Sequence, residues 1–344
     1  CVRRNATKMN IMITGSQGFI GSYLCNELLK AGHNVIGIDN YSKYGKIVRA
    51  HDDHPCFTFY EEDVIGLEQR DLARFGDVDV IVGMAAMIGG ISYFHKYAYD
   101  LLATNERIMA SIFDTAIHLH KTKQLKRIVV LSSSMVFEST DVFPTPESVI
   151  ATTPPPLSTY GFQKLACEYF CKGANEQYNL PYTIIRPFNC VGVGEDKALG
   201  EEVVTSGNVE MMMSHVLPDL INKVVKGQYP LRLLGQGNQV RCYTNGKDIA
   251  RGIRVAIESQ AAENEDFNIS TRQPTTVKEL ATVVWEELGD PRPLLFEHDE
   301  PFDYDVQKRV PDVQKATDVL GFTADISLRE SVREVIEYVR TQKA

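Results

Sequence analysis

The sequence predicts a doubly wound α/β fold with a smaller α/β region following it, and three observations carry that expectation. Short, nearly continuous apolar runs alternate with helical spacing through the first half, as strands buried on both faces of a parallel sheet require. Gly15, Gly18 and Gly21 fall between the first apolar run and the first helical segment. After Asn189 the alternation loosens, so the second half does not repeat the first.

Taken in order, Ile11-Met12-Ile13 is the first strand and Phe19 to Lys30 the first helix. Val35 to Asp39, Phe57 to Tyr60, Val78 to Val82, Ile128 to Leu131 and Tyr182 to Ile185 continue the sheet. Helices are expected over about 98–119 and 158–178. This alternation gives a Rossmann-type sheet that binds ligands at the carboxyl ends of its strands. Beyond it come a Gly/Glu-rich loop (192–210), a helix near 212–226, short strands near 231–234 and 238–244, and helices at 246–259 and 276–288. The expected division is therefore 9–189 for the nucleotide-binding domain, with parts of the later chain packing back onto it. Residues 190–344 are expected to form mainly a cap over substrate.

The chain has 344 residues, 44% hydrophobic and 24% charged, with a net charge of −9. That balance fits a soluble globular protein and argues against nucleic-acid or membrane-surface partners, which reward a basic face. No apolar run approaches the roughly 18–20 residues that span a bilayer, and no signal-peptide pattern opens the chain. The seven cysteines are scattered, with no CxxC pair, and read as free thiols in a cytoplasmic protein rather than a metal or disulfide framework.

The glycine triplet brings bare backbone and a helix amino terminus to a pyrophosphate, with Gln17, Phe19 and Ile20 carried on the same turn. Asp39, followed by Asn40, ends the second strand, 18 residues past Gly21. A carboxylate there accepts hydrogen bonds from a ribose hydroxyl and repels a 2′-phosphate, which favours NAD over NADP. Asp63 and Val64 follow the third strand and suit the adenine edge, and Ala85 and Ala86 end the fourth with side chains small enough for a cofactor to pass. Tyr160 and Lys164, four residues apart, share a helix face. A lysine ammonium and an oxidised nicotinamide beside a phenol favour its ionised form. Ser133, at the end of the fifth strand, can hydrogen-bond the same substrate oxygen.

With these residues in hand, the chain resembles the extended short-chain dehydrogenase/reductases, the NAD-dependent nucleotide-sugar epimerase/dehydratase family, along essentially its whole length. Matching segments are TGSQGFIG, IDN, SSSMVF, STYGFQK, IIRPFNCVG, SHVLPDL, GNQVRCYTNGKDIARG and VPDVQKATDVLGF. The resemblance implies that Tyr160 is the base, that Lys164 also touches the nicotinamide ribose, and that Ser133 is their hydroxyl partner. It sets Asn105 and Pro187 against the cofactor. Gly89, Gly90, Ser134, Asn189, Ser214, His215, Val216 and Arg241 fall toward the nucleoside-diphosphate sugar. Relatives also imply a homodimer through the helices near 98–119 and 158–178, with Leu165, Tyr169 and Phe170 supplying apolar surface.

The residues after the serine run discriminate among reactions. Dehydratases and decarboxylases of the family carry acidic residues there, whereas this chain has Ser134-Met135, and a thioether moves no proton. Ala85 to Ile91 and SHVLPDL are similar to the GDP-fucose synthase and GDP-mannose 3,5-epimerase branch, which has a cysteine at the place of Met135 and, in the synthases, a histidine at that of Glu210. The expected reaction is thus NAD-dependent epimerisation at C4 through a transient 4-keto sugar. GDP-sugar 3,5-epimerisation or 4-reduction, 4,6-dehydration and non-catalytic NAD binding are the alternatives. Three departures stand out: Phe137 for a tyrosine, Cys242 for an aspartate, and no arginine in Phe302 to Asp305, where many relatives bind the diphosphate.

Overall fold

The computed structural model describes residues 7–88, 97–122, 125–194, 204–206, 209–211, 216–300 and 306–342. Seven strands form the central sheet: β1 (Asn10–Thr14), β2 (Asn34–Asp39), β3 (Phe57–Glu61), β4 (Val80–Gly83), β5 (Arg127–Leu131), β6 (Tyr182–Pro187) and β7 (Glu265–Ile269). Their order is β7-β6-β5-β4-β1-β2-β3, with every neighbouring pair parallel. Chain order reverses between β1 and β4, so the loops leaving these two strands diverge and open a crevice.

The helices are α1 (Phe19–Lys30), α2 (Ala98–Lys121), α3 (Thr159–Tyr178), α4 (Val216–Val225), α5 (Gly246–Glu258), α6 (Val277–Leu288), α7 (Gln314–Leu320) and α8 (Leu328–Gln342). Alternation along β1 shows why both faces must be covered. Ile11 and Ile13 pack beneath α1 and α5 with Leu24, Leu28, Ile249 and Ile253. Met12 points the other way, into α2 and α3 with Met109, Ile112, Cys167 and Cys171. A third core gathers α4, α6 and α8 around Leu217, Leu231, Val284, Trp285 and Val335. Helix α6 starts on a reciprocal cap between Thr276 and Glu279 and stops at Gly289, whose φ of 71° is left-handed. Among the described residues, no helix is long and apolar enough to cross a membrane.

Among the departures from expectation, two have a plain physical reason. The seventh strand, β7, begins Glu265-Asp266, residues that strands disfavour. It is held because Asp266 meets Arg186 of β6 at 2.7 Å and Lys315 of α7 at 2.7 Å. The single strand expected near 238–244 is two, because the chain changes partners. Val240–Arg241 pairs antiparallel with Thr275–Thr276, whereas Thr244–Asn245 pairs parallel with Cys190–Val191.

Candidate active site

At the carboxyl end of β1 the chain must turn sharply into α1. Gly15 takes a left-handed φ of 79°, and its N–H reaches Ile38 O at 2.8 Å. A Cβ on Gly21 would sit 2.0 Å from Gly15 O, and one on Gly15 would sit 3.1 Å from the Ala85 Cα. Larger residues would push the helix off the turn and the turn off β4. Gly18 precedes α1, and no side chain caps that helix, so its first N–H groups are left without a side-chain cap. This geometry fits a dinucleotide pyrophosphate.

Asp39, at the end of β2, accepts from Gln17 N at 3.0 Å and Tyr41 N at 2.8 Å. Burial pushes its carboxyl above the ordinary range, opposed by those N–H groups and by the guanidinium of Arg49. Arg49 is a residue the sequence reading missed. It donates to Gln17 O at 2.9 Å and to Gly194 O at 3.5 Å, tying the glycine turn to the loop after β6. Asp52 completes the knot, taking Gln17 Nε2 at 2.9 Å and Arg49 N at 2.7 Å. Next to it, His51 is buried against the edge of Phe57, and burial lowers its pKa to about 4. Asn40 Nδ2 donates to Asp63 Oδ2 at 3.3 Å, drawing the ends of β2 and β3 together, and Val64 is buried beside them.

The loop leaving β4 is braced twice. Thr14 Oγ1 accepts from Met84 N and Ala85 N at 3.1 and 3.2 Å. Asn105 of α2 accepts from Met87 N at 2.6 Å and donates to Met87 O at 2.9 Å. Asn105 thus fixes the backbone that carries Ala85 and Ala86, a job that spacing alone does not reveal.

Tyr160 stands in the first turn of α3, which Ser158 caps by accepting from Gly161 N at 3.0 Å. Lys164 lies one turn on, its Nζ donating to Leu131 O at 3.0 Å and standing 5.9 Å from the centre of the Tyr160 ring. Ser133 Oγ accepts from Met135 N at 3.2 Å, which commits a lone pair and leaves its O–H to donate elsewhere. Tyr160, Lys164 and Ser133 are all buried.

Beneath them lies a support that the sequence did not announce. Ser132 donates to Glu168 at 2.7 Å, and Glu168 takes a two-pronged bond from Arg186 at 2.7 and 2.8 Å. Arg186 also meets Asp266, so α3, β5, β6 and β7 are joined under the serine run. The paired carboxylates hold the guanidinium above its already high pKa despite burial.

Beside the trio of Tyr160, Lys164 and Ser133, Met135 and Leu101 pack against Tyr160, with Ile88 and Val306 at the margin. Ser134 is buried in the same turn. Asn189 adopts a left-handed φ of 38°, and its Oδ1 is buried without a hydrogen-bond partner, a strained polar residue of the kind that gathers at functional sites. Pro187 closes β6 two residues before it, and Val216 opens α4. Arg241 is buried, donating to Val240 O at 2.9 Å and to Val306 O. Gly89, Gly90, Ser214 and His215 lie outside the described residues, as do Phe302 to Asp305.

A strap over residues 306–312 closes this side. It is held by Val240 N to Gln307 O and Arg309 N to Val240 O, at 2.8 and 3.0 Å. Its other flank is fixed by Thr145 N to Val310 O and Asp312 N to Thr145 O, at 2.8 and 2.9 Å. From the strap, Arg309 places a guanidinium nitrogen 3.2 Å from Met135 Sδ. Arg309 immediately precedes the VPDVQKATDVLGF segment, and that adjacency was the available signal.

Comparison with known proteins places the chain in a family. The model of the NAD dependent epimerase/dehydratase family matches residues 11–270. A putative UDP-glucose 4-epimerase of Methanocaldococcus jannaschii is 27% identical over 331 residues, 96% of this chain and 98% of that protein. The crystal structure of UDP-glucose 4-epimerase from Thermotoga maritima with UDP-glucose is 27% identical with a TM-score of 0.79, covering 98% of this chain and 100% of that one. The UDP-glucuronic acid 4-epimerase of Bacillus cereus, solved with UDP-glucuronic acid and NAD, shares the fold at 23% identity, with a TM-score of 0.79 and coverage of 97% and 100%.

Proposed function

The chain belongs to the NAD-dependent epimerase/dehydratase family, and on that premise we propose that it inverts C4 of a nucleoside-diphosphate sugar, most simply a UDP-sugar. The observation that carries this reading is Tyr160, Lys164 and Ser133 standing together while Met135, which moves no proton, fills the place beside Tyr160. That set suffices for oxidation and reduction at one carbon and offers nothing for elimination.

Ser133 donates to the C4 oxygen while Tyr160 removes its proton. Lys164, anchored on Leu131 O, keeps positive charge beside the phenol as that proton leaves. The glycine turn, Asp39, Asn105 and Lys164 would hold NAD, which when bound would supply the place where a hydride is kept and from which it is returned. The planar 4-keto sugar turns over against the apolar wall of Met135 and Leu101, and Tyr160 returns the proton to the new alcohol. Asn189 and Arg241 hold the nucleotide end. Relatives described as UDP-glucose 4-epimerases support uracil as the base.

Incubation of the holoenzyme with UDP-glucose and UDP-glucuronate in deuterated water tests the reaction. Proton NMR should show C4 epimers with no deuterium on carbon. Deuterium at C3 or C5 would instead place the chain with the 3,5-epimerases.

We further propose a cytoplasmic homodimer through α2 and α3. Of the three side chains offered for that face, Leu165 and Phe170 are half-buried and pack within the chain, Phe170 stacking on Phe113 at 5.5 Å. Tyr169 is 65% exposed, and Tyr99 of α2 and Phe162 of α3 are 77% and 48% exposed. Light scattering at micromolar concentration should give twice the chain mass; a monomer sinks the dimer.

A further inference from the structure

We infer that Arg309 selects sugars bearing a carboxylate next to the reacting carbon, which makes the substrate a UDP-hexuronate. This rests on the C4 reading above and deepens it. If Ser133 and Tyr160 hold the C4 oxygen, the groups on C3 and C5 must meet what surrounds Tyr160. That surround is Met135 and Leu101, with Ile88 and Val306 at its edge, and through Met135 the guanidinium of Arg309.

A guanidinium is shaped for the two oxygens of a carboxylate. Arg309 is also well aimed, because the backbone of its strap is bonded on one flank to Val240 and on the other to Thr145. Arg241 sits on the segment paired with the strap through the Val240–Lys308 bridge, where the reading above assigns it to the nucleotide end with its diphosphate. The two arginines therefore divide the anions, one for the diphosphate and one for the sugar. In a chain of net charge −9, a third negative charge on the substrate calls for such a local cation. A sugar held this way would lay its C5 carboxylate beside the apolar wall, with the oxygens toward Arg309.

The test compares UDP-glucuronate, UDP-glucose and UDP-N-acetylmuramate, whose carboxylate hangs from C3, on NAD-loaded wild type, Arg309→Met and Arg309→Lys. Both kcat/KM and, by calorimetry, Kd are measured. Wild type should prefer UDP-glucuronate. Arg309→Met should lower the UDP-glucuronate to UDP-glucose ratio roughly 10–100-fold, the scale of a hydrogen-bonded charge, and Arg309→Lys should fall between. Thermal melts and NAD content establish that each variant is folded, and if Arg309→Met is not, Arg309→Lys alone must still lower the ratio. A wild type that prefers UDP-glucose, a ratio unmoved by the variants, or an Arg309-dependent preference for UDP-N-acetylmuramate overturns the inference and leaves C4 epimerisation standing. Arg309-dependent conversion of UDP-glucuronate to a UDP-pentose and CO2 supports the carboxylate contact and sinks the epimerase reading instead.

Discussion

The cofactor turn and the sugar wall meet at Tyr160 but are built in opposite ways. The turn is local: Gly15, Gly18 and Gly21 lie within a few residues, and Asp39 joins them through the neighbouring strand. The sugar wall draws on the end of β5, the first turn of α3, the loop after β6, the Val240–Arg241 strand and the strap at 306–312. The first construction depends on backbone shape, the second on distant segments arriving at one place. Damage to the two should therefore separate in experiment.

The sharpest separation comes at the shared residue. Tyr160→Phe should lower kcat about 10²–10⁴-fold, the usual contribution of a general acid–base group, while NAD still co-purifies. Loss of NAD along with activity would show that the two halves are not separable there. Next is the ion cluster under the serine run. Arg186→Leu leaves Glu168 buried without its cation and should cost about 3–5 kcal/mol of stability, read by urea unfolding. Adding Glu168→Leu should recover part of that loss; no recovery would mean that packing, not charge, is what Arg186 contributes.

The cofactor side should yield to acid. His51 titrates at about 4 in the folded chain, against about 6.5 unfolded. The unfolded chain therefore takes up the proton first, and stability falls as pH drops from about 6.5 toward 4, by roughly 3 kcal/mol. His51→Asn should flatten that slope in unfolding curves at pH 7 and pH 4.5. An unchanged slope would remove His51 from the account.

The smallest effect belongs to the wall. Met135→Ala should leave kcat within about tenfold and act mainly through packing near the sugar, since the side chain moves no proton. A loss matching that of Tyr160→Phe would return the chain to the 3,5-epimerase branch and break the contrast between wall and catalytic group.

This contrast also explains what could be read in advance. The glycine turn was legible because its demand falls on backbone: a Cβ on Gly21 would meet Gly15 O whatever the rest of the chain did. Tyr160 and Lys164 were legible because one helical turn sets their relation. Arg309 was not, because its meaning depends on Met135, far away in sequence and brought near only by the strap. The strand β7 hid behind Glu265 and Asp266, whose charges make sense only with Arg186 and Lys315 in place. Asn105 was expected at the cofactor, and its amide bonds the backbone of Met87 on the loop leaving β4, a contact that only the folded chain reveals.

The strap has a further consequence for synthesis on the ribosome. Translation runs from the amino terminus, and domains fold as their residues emerge. The sheet through β6, with the glycine turn and Tyr160, is complete well before residues 306–312 leave the exit tunnel. A nascent chain at that stage has the residues of its dinucleotide side in hand while the sugar side still lacks one wall. The order of synthesis thus becomes an order of construction, cofactor side first and sugar side last.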